Sequence, residues 1–356
     1  MDRLNKIIAA VRPLDSGTMK KAAEYQASLA KPPESLGKLE ELSIQLAGIT
    51  GKVHNEIKRK QLLVFAADNG IVASGVSSAP QSVTLKQSIN LVRGITGAAV
   101  LAAHCGTELR VCDVGINAHV KEAGIINKKI AYGTGNISEE AAMSCSQALD
   151  AIVVGAALAM ESDADVLGIG EMGIGNTSTS VAVLSVLLGL DSDTVVGRGG
   201  GVTDEAYERK KRLIRKAIQI NKPDKTDVID ILSKVGGFDI AAMCGAFIGA
   251  AASAKPVVID GFISAVAALC AVRLCPDVRH YLIPSHASKE PGYIRAMEAM
   301  ELEPMLMLGM RLGEGSGCPL TFQLLEAACA VMNHMATFEQ ASIDDGFLAD
   351  IRGTKF

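Results

Sequence analysis

The rhythm of apolar and polar positions changes near residue 60. Before it, the chain reads as two amphipathic helices separated by Lys31-Pro32-Pro33-Glu34-Ser35, with Leu36, Leu39, Leu42 and Leu46 recurring on one face of the second. Beyond it, short β-type runs alternate with helix-length segments: Gln61 to Ala67, Glu108 to Val114, Asp165 to Ile169, Thr194 to Gly197, Pro256 to Ile259 and His280 to Ile283. This alternation predicts an α/β fold, a Rossmann-like, mostly parallel sheet flanked by helices. After Cys318 the pattern returns to helix. The expected organisation is therefore a small helical domain formed by residues 1–55 plus 319–356, and a large α/β domain over 56–318 that carries the active site. The most apolar stretch, Ile240 to Ala254, falls short of the roughly 20 residues a bilayer span requires and predicts a buried helix.

The ends of the predicted strands carry polar residues. Asp68 follows the first, Asp113 lies near the end of the second, Glu171 follows the third, Asp260 closes the fifth, and Ser285 and His286 follow the sixth. In an open parallel sheet the carboxyl ends form the rim of the ligand crevice, so these groups are expected to converge on one cleft.

Composition narrows the ligand. With 49% hydrophobic and 4% aromatic residues the chain buries a large aliphatic core, and a formal net charge of -4 gives no electrostatic reason to bind nucleic acid or an anionic membrane. The expected partners are small molecules. Eight cysteines without a Cys-X-X-Cys pair, and an N-terminus without a signal-peptide pattern, fit a reducing, cytoplasmic setting.

Three glycine-rich segments are candidates for chemistry. Gly168-Ile169-Gly170-Glu171-Met172-Gly173 matches the dinucleotide-binding pattern and is read as a loop between a strand and a helix that begins near Asn176 or Thr177. A carboxylate inside such a loop repels a pyrophosphate, so Glu171 argues against NAD and for a ligand presenting a hydroxyl or a positive ring. Gly197-Arg198-Gly199-Gly200-Gly201 precedes a helix capped by Thr203 or Asp204; free N–H groups, the helix dipole and Lys210 beside the Tyr207 and Ile214 stripe make a seat for a monophosphate. In Arg311-Leu312-Gly313-Glu314-Gly315-Ser316-Gly317 a single carboxylate on a constrained loop suits a general base, although an idle surface turn has the same pattern. The histidines show no ligand spacing, so neither a metal site nor a nucleophilic triad nor a cofactor is expected.

These segments resemble the nicotinate-nucleotide:dimethylbenzimidazole phosphoribosyltransferase family. Matching stretches run through nearly the whole chain: Lys31 to Gly37, Gly75-Val76 through Pro80 to Thr84, Arg93 to Gly97, Gly170 to Thr177, Ser233 to Asp239, Asp260 to Phe262, Leu282 to His286 and Arg311 to Gly317. The resemblance implies a homodimer with active sites near the subunit interface, Glu314 as proton acceptor, and Glu171 beside the ribose. It implies nicotinate mononucleotide contacts at Gly173, Asn176, Thr177, Gly199, Gly200, Gly201, Lys210 and Asp260, and a base pocket at Ala79, Gln87 and Met172. Ala79 stands where some relatives carry a hydroxyl residue, and Asn69 where an Asp-His-Gly pattern is common. A benzimidazole is the expected base, with adenine or a phenol as the alternative; the rival activity is an NAD-dependent oxidoreductase, and the rival assembly a heteromer of two homologous chains.

Overall fold

The computed structural model describes residues 1–348; residues 349–356, the end of the expected C-terminal helical segment, lie outside the described residues. Among the described residues six strands form one sheet: β1 Lys60–Ala67, β2 Thr107–Gly115, β3 Ile125–Asn127, β4 Val166–Met172, β5 Val257–Ile259 and β6 Leu282–Pro284. Their order is β3-β2-β1-β4-β5-β6, and every adjacent pair is parallel. β1 and β4 are buried at every position, the pattern expected of parallel strands covered on both faces. The Rossmann-like sheet is as expected, with two corrections. Thr194 to Gly197 forms no strand: Ser192–Thr194 is a turn of 3-10 helix, and Val195 and Val196 are apolar because they are buried beside the helix Asp204–Asn221, whose Tyr207 hydroxyl donates to the Val196 carbonyl. The edge strand β3 is only three residues long, too short to register as a period-2 pattern.

One face of the sheet is covered by the helix Phe238–Ala252, in which every residue from Phe238 to Ala251 is buried, as its unbroken apolarity predicts. It crosses the helix Cys145–Glu161 at backbone contact, because a Cβ at Gly155 or Gly245 would lie 1.8 Å from a carbonyl of the other helix. On the other face, Phe322, Leu325 and Ala328 of the helix Cys318–His334 share a core with Leu42 and Leu46 of the helix Lys38–Thr50 and with Leu62, Val64 and Val258 of the sheet. The two chain ends also meet through Ala22, Ala47 and Met332, and through N–H bonds from Ala30 to the Ala336 carbonyl and from Phe338 to the Ser28 carbonyl. No helix among the described residues is long and apolar enough to cross a membrane.

The strand order reverses between β1 and β4, and there the connections leave in opposite directions and open a crevice at the carboxyl ends.

Candidate active site

A cleft at this point is lined by Glu171 and Met172 at the end of β4, by Gly173, Asn176 and Thr177 after it, by Asp260 after β5, by His286 after β6, and by Arg311 to Glu314. Ala79 and the Arg198 to Val202 turn, with Lys210, complete its wall. Of the polar strand ends, Glu171, Asp260 and His286 therefore converge. Asp68, Asp113 and Ser285 do not: Asp68 accepts the Asn117 N–H at 2.8 Å, Asp113 pairs with Lys129 at 2.8 Å, and the Ser285 hydroxyl donates to the Asp260 carbonyl. Each of these contacts ties a strand end to another segment of the chain.

Glu314 is 5% exposed and sits at φ +62°, between Gly313 and Gly315, which also have positive φ. Its Oε1 accepts the Gln87 amide at 2.8 Å, and its Oε2 faces the Ala98 N–H at 3.5 Å, in the first turn of the helix Gly97–His104. A carboxylate held by an amide and a helix N-terminus is pre-oriented, and one lobe of each oxygen is left for a substrate proton. Its own backbone N–H points at Glu171 Oε1, 3.4 Å away, so the two acids are neighbours.

Glu171 belongs to the end of β4 itself, because the strand continues to Met172. Gly168 to Met172, read from the sequence as part of a strand-to-helix loop, is thus strand, and its glycines have packing reasons. A Cβ at Gly170 would come within 2.6 Å of the Gly315 backbone, and one at Gly168 within 2.5 Å of Cys318. Glycine here lets the Glu314 loop lie directly on the strand.

Behind Glu171 is a buried polar network. The Asn176 amide donates to Glu171 Oε2 and to Asp239 Oδ2, the latter at 3.0 Å, while Asn69 Oδ1 accepts the Thr179 hydroxyl at 3.2 Å. Burial pushes the Glu171 carboxyl up to about 8, and the nearby Asp239 and Asp260 carboxylates push the same way. Burial likewise raises Asp239 to about 6 and Asp260 to about 7, although N–H bonds from Gly317 and Gly315 hold the latter back. His286, also buried, is held below its ordinary value. Asn69 is fully buried in this network and is not part of the cleft wall, so its departure from the common pattern bears on Glu171's surroundings.

Lys210 is 1% exposed, and its ammonium donates to the Thr177 hydroxyl at 2.9 Å and the Gly197 carbonyl at 3.1 Å. Thr203 caps the helix Asp204–Asn221 by accepting the Ala206 N–H. The glycine turn is less open than its sequence implies: the Gly199 N–H donates to Glu290 Oε1 at 3.0 Å, and the Gly201 N–H to the Arg198 carbonyl. Ser78 anchors the turn through the Gly201 carbonyl at 2.7 Å, and Arg311 reaches the Gly199 carbonyl at 3.4 Å.

Asp239, Glu290, Ser78 and Arg311 are site residues that the sequence reading passed over as functional groups. Asp239 had a visible signal, being the one carboxylate at the head of an otherwise apolar, fully buried helix. Glu290, before Pro291, carried only the mark of a helix start.

The chain matches the family model described as Phosphoribosyltransferase over residues 11–343. It is 50% identical over 356 residues to the nicotinate-nucleotide–dimethylbenzimidazole phosphoribosyltransferase of Clostridium tetani, covering 99% of this chain and 98% of that one. It is 44% identical over 347 residues to the protein of the same name from Yersinia enterocolitica, covering 97% and 98%. Among solved structures, the nicotinate-nucleotide-dimethylbenzimidazole phosphoribosyltransferase of Thermus thermophilus superimposes with a TM-score of 0.88 at 35% identity, over 94% of this chain and all of that one.

Proposed function

The chain belongs to the nicotinate-nucleotide:dimethylbenzimidazole phosphoribosyltransferase family, and from that premise we propose that it moves the 5-phosphoribosyl group of nicotinate mononucleotide onto 5,6-dimethylbenzimidazole or a related lower-ligand base. The products are α-ribazole 5′-phosphate and nicotinate, and the reaction serves nucleotide-loop assembly of cobalamin. The observation that carries this reading is the pairing of the buried Glu314 carboxylate with the Gln87 amide at 2.8 Å, in the same cleft as a lysine and a glycine turn.

In this reading the phosphate lies by Gly199, Gly200, Gly201 and Lys210, and the ribose by Glu171, Gly173, Asn176, Thr177 and Asp260. The base fits against Ala79, Gln87 and Met172. A base nitrogen bonds to C1′ from the α face as the C1′–N bond to nicotinate breaks; the bonding pair returns to the pyridine ring, which loses its positive charge. The N–H proton of the incoming base goes to Glu314 Oε, a general-base effect typically worth about 10² to 10⁴ in rate. Glu171 stands where positive charge on the ribosyl group is greatest, and Asn176 fixes its orientation. Phosphate binding supplies energy remote from the breaking bond.

The reading includes a homodimer. Leu312, 56% exposed, lines the cleft and lies against Gly97, and Ile95, two residues before that glycine, is 67% exposed, so exposed apolar side chains occur at the cleft's edge. It also includes a cytoplasmic location, with eight unpaired cysteines, seven of them buried, in its support.

The test is to incubate the purified chain with nicotinate mononucleotide and 5,6-dimethylbenzimidazole, with adenine and a phenol offered in parallel. Formation of α-ribazole 5′-phosphate with equimolar nicotinate is expected. Absence of any riboside product refutes the assignment, and sedimentation at the mass of a single chain refutes the dimer.

A further inference from the structure

The Glu290 carboxylate lies where an anion is to be seated. Its Oε1 accepts the Gly199 N–H at 3.0 Å, and its Oε2 is packed against Gly197, where a Cβ would lie 1.9 Å from it. The Lys210 ammonium is beside the same two glycines, bonded to the Gly197 carbonyl at 3.1 Å and 3.7 Å from the position a Cβ on Gly199 would take. Glu290 Oε2 is itself buried without a hydrogen-bond partner. An acceptor oxygen buried that way is costly, and a carboxylate held there by one N–H and the field of one lysine is weakly anchored. Burial draws the Lys210 ammonium down to about 8, and the Glu290 charge opposes that fall, which marks the two groups as electrostatic neighbours.

We propose that Glu290 is a built-in competitor for the substrate's phosphate: it holds the Gly199 N–H and shares Lys210 in the empty enzyme, leaves when a phosphate monoester enters, and returns as the product departs. This rests on the phosphoribosyl-transfer reading and adds a residue that sets how tightly the phosphate is held. A bare phosphate must displace Glu290 without help from other contacts, whereas a mononucleotide adds those of its ribose. The device therefore keeps inorganic phosphate out of the cleft and hastens release of the phosphorylated product.

The test titrates orthophosphate into the parent enzyme, Glu290→Gln, Glu290→Ala and Lys210→Met by calorimetry, with transfer activity measured on the same samples. Glu290→Gln retains an acceptor for Gly199 and deletes the charge. It is expected to bind phosphate about tenfold more tightly, as removal of one charge a few ångströms from an anion predicts, and to be inhibited by phosphate in the same proportion. Glu290→Ala is expected to shift the same way, and Lys210→Met to lose phosphate binding. Unchanged or weaker binding in Glu290→Gln, or no binding by any form, overturns the proposal. A buttressing role would leave Glu290→Gln neutral and weaken Glu290→Ala. Failure of the transfer reading would appear separately, as tighter phosphate binding in a protein that forms no riboside.

Discussion

Asp260 Oδ1 accepts the backbone N–H of Gly317 at 2.7 Å, and its Oδ2 accepts that of Gly315 at 3.0 Å. Both oxygens of this buried acid thus grip the loop on which Glu314 is mounted, which makes Asp260 a positioning residue for Glu314 as well as a wall of the cleft. Asp260→Asn keeps the shape but turns an amide NH₂ towards one of the two N–H donors. It is expected to lose about 1–3 kcal/mol of stability, seen as a lower denaturation midpoint, and to lower kcat more than it raises the KM for nicotinate mononucleotide. A change confined to KM would show that Asp260 acts on the nucleotide instead.

Gly170 is the point at which the Glu314 loop touches the sheet. Gly170→Ala would place a methyl 2.6 Å from the Gly315 backbone, in a contact with no flexible side chain to yield. Overpacking of this kind costs about 1–3 kcal/mol, and here the loop is the part that can give way. Denaturant melts should show the loss, and turnover should fall further than stability does. A variant of normal activity would mean that the loop's seating on β4 is unimportant.

Glu314→Gln retains size and the partnership with Gln87 after an amide flip, while removing the proposed proton acceptor. Turnover is expected to fall by about 10² to 10⁴ with nicotinate mononucleotide binding kept. Near-normal single-turnover rates would refute the role of Glu314 as base.

Binding should also move a proton. In the empty site Glu171 holds its proton up to about pH 8, and the ribosyl pyridinium of nicotinate mononucleotide brings a positive charge that favours the carboxylate. At pH 7 binding is therefore expected to release a proton, measured as a dependence of the calorimetric enthalpy on the buffer's ionisation heat. Glu171→Gln should abolish that dependence. Its persistence would place the titrating group elsewhere.

The sheet was readable from the sequence because its buried parallel strands carry short apolar runs, Leu62 to Ala67 in β1 and Val166 to Ile169 in β4. The same rule misled at Val195 and Val196, which are apolar for the sake of one neighbouring helix. Glu171, Glu314 and Lys210 could be picked out because each breaks a local pattern: an acid in a glycine run, or a lysine on an apolar stripe. Asp239 broke a pattern too, as the one acid of an apolar helix, but its partner Asn176 lies 63 residues away, and Glu290 broke none, its meaning coming from Gly199, 91 residues away. The glycines of β4 were legible as glycines but not in purpose, because the loop they accommodate lies far along the chain.

Three buried acids meet around Glu171, and their combined titration fixes how stability responds to pH. Glu171, Asp260 and Asp239 titrate in the folded protein at about 8, about 7 and about 6, each raised by burial. In the unfolded chain such groups titrate near about 4. Between these limits the folded state binds more protons than the unfolded state, so the slope of unfolding free energy against pH is negative for these groups. Their contribution is complete below about pH 4 and is lost as pH rises through 6, 7 and 8. The unliganded protein is thus expected to melt at progressively lower temperature from pH 6 to pH 8.5. Glu171→Gln, which cannot ionise, should lessen that fall throughout the range and most completely above pH 7, where the two aspartates are largely ionised. If the variant and the parent decline in parallel between pH 7 and 8.5, Glu171 is already ionised in the empty cleft, and the proton released on binding must come from another group.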